Sequence, residues 1–230
     1  MKNSNVHADK FGQVSQHFQN GFRPLAYDPE RVAGFDDRKT SLTLSIPISQ
    51  TEIIHKIREI SAKLKGLDGI SLMPEEYYHV TVKWLGVFTD RKEKDYDIEA
   101  DTLDLIIEQA ESVIREVPSF EICLKRLNGL SSFVVCEVND NGAIARLQGR
   151  FHQDATDIPI YPLEGEEWLP HLSLASIQSQ KSISQLQHRI RQFRDVELGT
   201  VQVNEIHLSR AILQQPFPTC TTIHTFQLAN

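Results

Sequence analysis

The sequence predicts an α+β protein in which two lobes, each a small and mostly antiparallel sheet with helices on its outer face, form a central cleft. Several segments alternate apolar with polar residues, as half-buried strands do, and others repeat apolar residues at helical spacing. The order strand, helix, strand, helix, strand occurs twice along the chain. Sequence identity between the halves is low, so it is this order that suggests an internal duplication.

The first half supplies three strands and two helices. Leu42, Leu44 and Ile46 alternate in the first strand, and Gly66 follows the first helix as a stop signal. The long second helix stops before Pro118, which cannot continue it. The predicted strands are Ser41–Ile48, Tyr78–Phe88 and Phe120–Arg126, and the predicted helices are Thr51–Lys65 and Ile98–Glu116.

The second half repeats this order and adds a closing strand. A turn over residues 139–142, rich in Asn, Asp and Gly, separates its first strand from its first helix. The predicted strands are Phe133–Val138, Leu169–Ile177, Thr200–Ile212 and one near Thr222–Leu228, and the predicted helices are Ala143–Ala155 and Ser182–Phe193.

Residues 1–37 lack sustained periodicity and are predicted to be an irregular leader, strapped over the body by Phe18, Phe22 and Tyr27. Residues 38–230 are predicted to form a single bilobal domain. Its lobes are interleaved in sequence, with halves of roughly 38–130 and 131–230.

The strands leave polar residues on the side opposite their apolar one. Helices covering one face of each sheet would explain this pattern, with the polar faces of the two lobes around a shared, wet cleft. Two sheet faces that are simply exposed to water would explain it equally well. The polar sets are Ser41, Thr43 and Ser45; Glu121, Cys123 and Lys125; and Glu205, His207 and Ser209.

Composition narrows the class of partner. The chain has 24 basic and 31 acidic residues, a net charge of −7, which argues against binding along duplex DNA but permits a short RNA end. Three cysteines without CxxC spacing indicate reduced thiols rather than structural zinc. A polar N-terminus and the lack of a long apolar run predict a cytoplasmic protein without membrane contact, and we expect a monomer.

Two tetrapeptides carry the candidate chemistry: residues 79–82, His-Val-Thr-Val, and residues 171–174, His-Leu-Ser-Leu. In a strand, alternate side chains share a face, so His79 lies beside Thr81 and His171 beside Ser173. Two such strands facing each other would make a pocket with two acid–base groups and two hydroxyl donors. That set suits phosphoester chemistry without a metal.

Other common catalytic signatures are absent from the sequence. It contains no HExxH or clustered Asp motif, no GxxxxGK or GxGxxG loop and no Gly-x-Ser-x-Gly elbow. We therefore expect no cofactor and no metal.

The motifs in context resemble a known family. Residues 77–86, Tyr-Tyr-His-Val-Thr-Val-Lys-Trp-Leu-Gly, and residues 168–175, Trp-Leu-Pro-His-Leu-Ser-Leu-Ala, are similar to the paired signatures of the two-histidine (2H) phosphoesterases. That superfamily includes the RNA 2′,3′-cyclic phosphodiesterases once called 2′-5′ RNA ligases. The resemblance covers about residues 38–228 in the order of elements, and roughly 20 residues closely.

The resemblance implies two lobes related by a pseudo-twofold axis, with His79 and His171 as the catalytic pair and Thr81 and Ser173 as their hydroxyl partners. Two positions depart from the family pattern. Ser173 stands where Thr is commoner, and the strand continues with Ala175 and Ser176 where many relatives place an Arg. The second departure removes a phosphate-binding cation.

These residues lead to a hypothesis for the reaction. One histidine would take a proton from water and the other would protonate the leaving ribose oxygen, with Thr81 and Ser173 binding the phosphate oxygens. His171 is assigned the base role and His79 the acid role, although the sequence hardly favours either direction. By alternation Lys83 shares their face and could supply a cation, or could be a solvated surface lysine.

Aromatic residues near the motifs are candidates for stacking on a substrate base: Tyr78, Phe133 and Trp168. Packing in the core or at the rim is the alternative for each. His207, in a third His-x-Ser, is expected to be a cleft-wall or surface residue and would replace either motif that proves wrong.

The sequence therefore favours a metal-independent phosphodiesterase acting on a nucleotide or RNA terminus with a 2′,3′-cyclic phosphate, or on a 2′-linked phosphodiester. One alternative is a related enzyme that acts on another small phosphoester or runs the reverse joining reaction weakly. A second is a module that binds phosphoesters or RNA ends without turnover, and a third is a structural protein in which both motifs are ordinary strands. The two histidines with their hydroxyls weigh against the last two alternatives, since a binder needs cations more than two proton shuttles.

Overall fold

The computed structural model describes residues 7–20, 26–28, 40–155, 157–159, 164 and 168–229. Over these residues the chain forms an α+β fold, a curled and mostly antiparallel sheet with helices packed on it, which confirms the predicted fold class. Phe22, expected to help strap the leader over the body, lies outside the described residues.

The described residues contain five α-helices. In α2, Ile53, Ile57 and Leu64 are buried at intervals of one or two turns, which is the apolar stripe of an amphipathic helix. The helix ends before Gly66, whose φ of 83° suits a residue without a side chain. The helices are α1 (Ala8–Gln19), α2 (Thr51–Leu64), α3 (Leu103–Ile114), α4 (Ala143–Asp154) and α5 (Ile183–Gln192).

Ten strands lie within the described residues, and the two histidines of the sequence motifs each begin one. The strands are β1 (Thr40–Pro47), β2 (Ile70–Leu72), β3 (His79–Thr89), β4 (Asp97–Glu99), β5 (Phe120–Leu130), β6 (Phe133–Asn139), β7 (His171–Ile177), β8 (Glu197–Val203), β9 (Glu205–Ile212) and β10 (Thr219–Gln227).

The strands follow the order β10-β9-β1-β3-β7-β6-β5-β8, with β2 beside β7 and β4 beside β3. A single register pair, Val80 with Leu172, connects the central strands β3 and β7. The sheet therefore divides there into two lobes. Lobe one contains β10, β9, β1, β3 and β4, and lobe two contains β7, β6, β5, β8 and β2.

Each lobe draws on both halves of the sequence. Strand β5 follows α3 in the first half yet pairs with β6 and β8 in lobe two, while β9 and β10 near the end of the chain pair with β1 in lobe one. Helices from one half of the sequence also contact the lobe that contains strands of the other half. Lys56 Nζ on α2 donates to the carbonyl oxygens of Glu197 and Leu198 on β8. Gln148 Nε2 on α4 donates to the carbonyl oxygen of Val82 on β3.

Both histidine strands contain a β-bulge at the same place. On β3, Thr81 pairs with Ser45 but Lys83 pairs with Leu44, so Val82 is the extra residue. On β7, Ser173 and Ala175 pair with consecutive residues of β6 in the same way. An extra residue reverses which face the following side chains take. Directly after each bulge, the alternation read from the sequence is therefore inverted, and on β3 a second bulge at Leu85 restores it.

The prediction of an irregular leader is wrong for residues 8–19, which form α1. Phe11, Ser15 and Phe18 are buried at intervals of four and three residues, the spacing of a helix face. Asn128 Nδ2 on β5 donates to the carbonyl oxygen of Phe11 (3.1 Å), and Gln187 Nε2 on α5 donates to that of Phe18 (2.6 Å). The helix is thus attached to lobe two.

Two predicted boundaries also differ from the structure. Ile98 belongs to β4, where it pairs with Phe88, so α3 begins five residues later at Leu103. The single strand predicted over Thr200–Ile212 is two strands, β8 and β9, separated at Asn204 and placed in different lobes.

The three cysteines are free thiols, and Cys136 is fully buried. Nowhere in the described ranges does a helix combine the length and the apolar character needed to cross a bilayer.

Candidate active site

A cleft of about 390 Å³ lies between the lobes and contains both histidines of the paired motifs. The antiparallel β3–β7 pair explains this, because Val80 lies opposite Leu172 and the preceding histidine of each strand enters the cleft beside the seam. The lining residues are Tyr27, Ser41, Thr43, Tyr77, His79, Thr81, Trp84, Leu130, Ser131, Phe133, Trp168, His171, Ser173, Ala211, Leu213, Pro218 and Cys220.

The two imidazoles are held in the same way. His79 Nδ1 donates to the carbonyl oxygen of Tyr77 at 2.6 Å, and His171 Nδ1 donates to that of Leu169 at 2.7 Å. A carbonyl oxygen can only accept, so the proton of each neutral ring is on Nδ1. This fixes the tautomer and leaves Nε2 of both rings as the nitrogen that can accept or deliver a proton in the cleft.

Burial makes both imidazoles harder to protonate. The pKa of His79 is lowered to about 4, mainly because the ring is removed from water. The hydrogen bond to Tyr77 partly opposes this shift, and the nearby His171 adds to it. Burial likewise lowers the pKa of His171, opposed by its bond to Leu169. Without a bound anion, both rings are therefore neutral at physiological pH.

Thr81 and Ser173 line the cleft two positions after their histidines, as alternation predicts. Both precede the bulge of their strand, so its reversal does not affect them. The described structure thus brings together four of the predicted residues: His79, His171, Thr81 and Ser173.

Lys83 does not lie in the cleft, contrary to the prediction. The bulge at Val82 directs its side chain to the opposite face, where it is fully buried and its Nζ binds both carboxylate oxygens of Glu164 at 2.6 and 2.8 Å. His152 Nε2 contacts the same carboxylate at 2.7 Å. Trp84, the next residue, lines the cleft instead. Lys83 is thus neither a phosphate ligand nor a solvated lysine.

Tyr78 is also placed outside the cleft. It is buried, and its hydroxyl donates to the carbonyl oxygen of Met73 at 3.3 Å. Its neighbour Tyr77 lines the cleft and packs edge-on against His79, with ring centroids 4.8 Å apart. Phe133, the other predicted stacking residue, does line the cleft, as does Trp168.

Three aromatic residues of the cleft went unpredicted: Trp84, Tyr77 and Tyr27. The bulge that places Trp84 in the cleft is not visible in the apolar–polar pattern. Tyr77 lies in a short 3₁₀ turn over Glu75–Tyr77, two residues before His79, and this spacing is the signal that could have placed it on the same side. Tyr27 was assigned to the leader as a packing residue, although an isolated Tyr in a polar segment is a signal that its hydroxyl has a use.

The cleft offers neutral groups to a ligand. Among the described residues, those lining it include no Lys, Arg, Asp or Glu. Ser176 is buried, and its Oγ donates to the carbonyl oxygen of Pro216 at 2.9 Å. A bound phosphate would therefore be met there by hydroxyls and imidazoles.

His207 lies beside the cleft rather than in it. It borders a smaller pocket of about 70 Å³ that shares Thr43, His79 and Cys220 with the main cleft, and its Nε2 contacts Glu205 Oε1 at 2.9 Å. Over the part of the chain that the structure describes, no three residues of His, Cys, Asp or Glu are grouped as a metal site would need.

Two proteins with named activities are similar in sequence to part of this chain. A protein of Aeropyrum pernix named RNA 2′,3′-cyclic phosphodiesterase is 29% identical over 89 residues, which are 39% of this chain and half of that protein's length. A protein of the same name from Methanocaldococcus jannaschii is 25% identical over 172 residues, 75% of this chain and 90% of its own.

Solved structures show the same fold. Escherichia coli LigT in its apo form has a TM-score of 0.58 at 16% identity, covering 83% of this chain and 98% of LigT. LigT complexed with 3′-AMP has a TM-score of 0.56. The model of the 2′-5′ RNA ligase superfamily matches residues 46–212, which include both histidine strands and more than half of the sequence. The chain therefore belongs to the 2′-5′ RNA ligase superfamily, the group of two-histidine phosphoesterases that its motifs resemble.

Proposed function

We propose that this chain is a phosphodiesterase that opens the 2′,3′-cyclic phosphate of a nucleotide or an RNA end, with His79 and His171 as its general acid and base. One observation carries the proposal. Two imidazoles on neighbouring strands line one cleft, and both are held through Nδ1 by a carbonyl oxygen, which leaves Nε2 of each ring for proton transfer in that cleft.

The relatives support this class of substrate. Two of them are named RNA 2′,3′-cyclic phosphodiesterase, and LigT has been crystallised with 3′-AMP. At identities of 16–29%, these likenesses suggest the reaction class for this chain, and the residues supply the mechanism.

The reaction needs two proton transfers. As water attacks phosphorus, a neutral histidine accepts its proton through Nε2, and the P–O bond to one ribose oxygen breaks on the opposite side. A protonated histidine delivers a proton to that oxygen, leaving a phosphate monoester. Thr81 and Ser173 donate hydrogen bonds to the non-bridging oxygens, where charge is held during attack. No step requires a metal.

The substrate itself helps to create the acid. Because the described cleft lining contains no cation, a bound phosphodiester anion has a protonated imidazole as its natural counter-charge. Binding should therefore raise the pKa of one histidine from its lowered value in the free protein. His171 as base and His79 as acid is our working assignment, and the pH profile of turnover reports the pair as a unit.

The direct test replaces each histidine by Asn and assays hydrolysis of nucleoside 2′,3′-cyclic phosphates in excess EDTA. His79→Asn and His171→Asn should each lose about 10²–10⁴-fold in kcat and keep the melting temperature of a folded protein. His207→Asn is the matched control, since this histidine lies outside the main cleft, and it should retain turnover.

Wild-type rates in both cleft variants would refute the assignment of the catalytic pair. Loss of wild-type activity in EDTA, restored by a divalent metal, would refute the metal-free mechanism.

The lack of a cation in the described cleft lining also bears on the alternative, a module that binds phosphoesters without turnover. Such a module would bind 3′-AMP in calorimetry and convert no cyclic phosphate. Its affinity for the anion would depend on the same hydroxyls and imidazoles, so His79→Asn and His171→Asn would weaken the binding of 3′-AMP.

A further inference from the structure

The segment before the matched family region contributes to the cleft. Residues 26–28 precede residue 46, where the family match begins, yet Tyr27 is one of the lining residues. Its backbone is fixed at both ends: Tyr27 N donates to the carbonyl oxygen of Ile177 at 2.6 Å, and Gln215 Nε2 donates to that of Tyr27 at 2.8 Å. Both lobes therefore hold this residue in place.

The hydroxyl of Tyr27 is buried, and none of the described residues is its hydrogen-bond partner. The residue is 1% exposed, and its Oη makes no hydrogen bond to any described residue. Burial raises the pKa of the phenol, so it remains a neutral group that can both donate and accept. Buried polar groups are nearly always satisfied in proteins, so an unsatisfied one in the wall of a cleft points to a ligand.

The neighbouring ring gives this corner of the cleft an apolar face. Tyr27 and Phe133 lie with their ring centroids 5.3 Å apart at an angle of 59°, and both line the cleft. An aromatic face in the wall of a cleft, here the half-buried Phe133, beside one polar atom is a combination that proteins use to bind nucleobases.

The distance from the histidines decides which part of a nucleotide this corner would meet. On β6, Phe133 is two residues from Val135, which pairs with Ser173 on β7. At about 3.3 Å per strand residue and about 4.8 Å between strands, the corner lies roughly 8 Å from the residue assigned to the phosphate. That is too far for one phosphate to reach both sites, and it suits a base at the other end of the same nucleoside.

We propose that Tyr27 and Phe133 form a nucleobase subsite, in which Oη of Tyr27 hydrogen-bonds to the edge of the base and sets base preference. The proposal rests on the proposed function, and it deepens that function by assigning the base contact to a residue outside the family match. Tyr27 is a specificity residue, because it touches the substrate away from the reacting atoms.

The test uses Tyr27→Phe, which removes only the hydroxyl, and compares substrates with and without a base. For the preferred nucleoside 2′,3′-cyclic phosphate, the variant should raise KM about 5- to 10-fold with kcat little changed, and preference among the four bases should flatten. For methyl ribofuranoside 2′,3′-cyclic phosphate, which has no base, KM and kcat should match wild type.

Tyr78→Phe is the matched control, because it removes a buried tyrosine hydroxyl outside the cleft, one bonded to Met73. It should lower the melting temperature without changing base preference. Equal effects of Tyr27→Phe on both substrates would overturn the proposal, since they would place the phenol at the phosphate or give it a purely structural role. No effect on either substrate would overturn it as well.

A binding measurement separates this proposal from the proposed function. If wild-type protein hydrolyses no cyclic phosphate, the proposed function fails, and calorimetry with 3′-AMP and inorganic phosphate still tests the subsite. Weaker binding of 3′-AMP to Tyr27→Phe, with unchanged binding of phosphate, would support the base contact. Equal affinity of both proteins for 3′-AMP would overturn it.

Discussion

At the residue scale, the local backbone determines how His79 and His171 can act. Each ring donates to the carbonyl oxygen two residues earlier, in the turn or loop that leads into its strand. The sequence separation is the same in both cases, so the orientation follows from entering a strand with a histidine at its first position. The cost of this arrangement is burial, which disfavours the charged form of both rings.

This burial should appear as a dependence of stability on pH. The pKa of His79 is lowered to about 4 in the folded protein, and that of His171 is lowered too, whereas an unfolded histidine titrates near 6.5. As pH falls from 6.5, the unfolded chain takes up protons that the folded chain does not, so the free energy of unfolding decreases.

Urea denaturation of wild type and His79→Gln at about pH 7 and about pH 5 measures the effect. The variant should lose less stability on acidification than wild type, since other titrating groups are common to both proteins. An equal loss in the two proteins would contradict a lowered histidine pKa.

Individual residues also show which side chains of the cleft could be predicted from the sequence. Alternation placed His79 and Thr81 on one face, and the same rule applied to residues 171–173. Tyr78 was a candidate because it adjoins His79, whereas alternation places it on the opposite face, and it is Tyr77, two residues before His79, that lines the cleft.

At the scale of elements, the bulges are the features that sequence patterns did not reveal. Val82 and Leu174 are apolar residues at positions where alternation already expects one, so the bulge at each is not visible in the pattern. Its effect is nevertheless large, since Lys83 moves from the predicted phosphate site to a buried ion pair with Glu164.

Other elements did leave a signal. The buried positions Val201 and Val203 are odd-numbered, whereas Ile206 and Leu208 are even-numbered, so the alternation changes phase at Asn204. That phase change marks the break between β8 and β9. Helix α1 left a weaker signal, because Phe11 and Phe18 are the apolar members of its buried face and the polar Ser15 lies between them.

The ion pair on β3 gives a test of the bulge. Lys83→Met leaves the buried carboxylate of Glu164 with His152 as its remaining partner, which should lower the free energy of unfolding by about 3–5 kcal/mol. Denaturant titration measures this loss, and the exposed Lys181→Met serves as the matched control that should change stability little.

Turnover distinguishes the two positions of Lys83. If the lysine lies behind the sheet, the folded fraction of Lys83→Met should keep kcat/KM within about twofold of wild type. A loss of 10²-fold or more in kcat/KM, with stability unchanged, would instead indicate that Lys83 binds the phosphate of the substrate.

At the scale of the whole molecule, charge is distributed unlike that of a protein that binds along a nucleic acid. The chain has a net charge of −7, and the described lining of the cleft contains no cationic side chain. Recognition by this cleft would then depend on shape, hydroxyls and two imidazoles rather than on an extended basic surface.

The dependence of KM on salt should therefore be weak. Each phosphate neutralised by a cation on single-stranded nucleic acid contributes about −0.7 to the slope of log affinity against log salt concentration. Titrating NaCl in the assay with a nucleoside 2′,3′-cyclic phosphate should give a slope of magnitude less than about 1. A slope of several units would instead indicate an extended basic contact with the substrate.

The exchange of strands between the lobes has a consequence for synthesis. Thr40 pairs with Ile212, so the sheet that supports His79 is completed by a strand made about three-quarters of a protein length later. Contacts so distant along the polymer slow the approach to the native state. When the ribosome has synthesised both histidines but not yet β9, the nascent chain still lacks the strand that pairs with β1. The sheet that positions His79 is then incomplete.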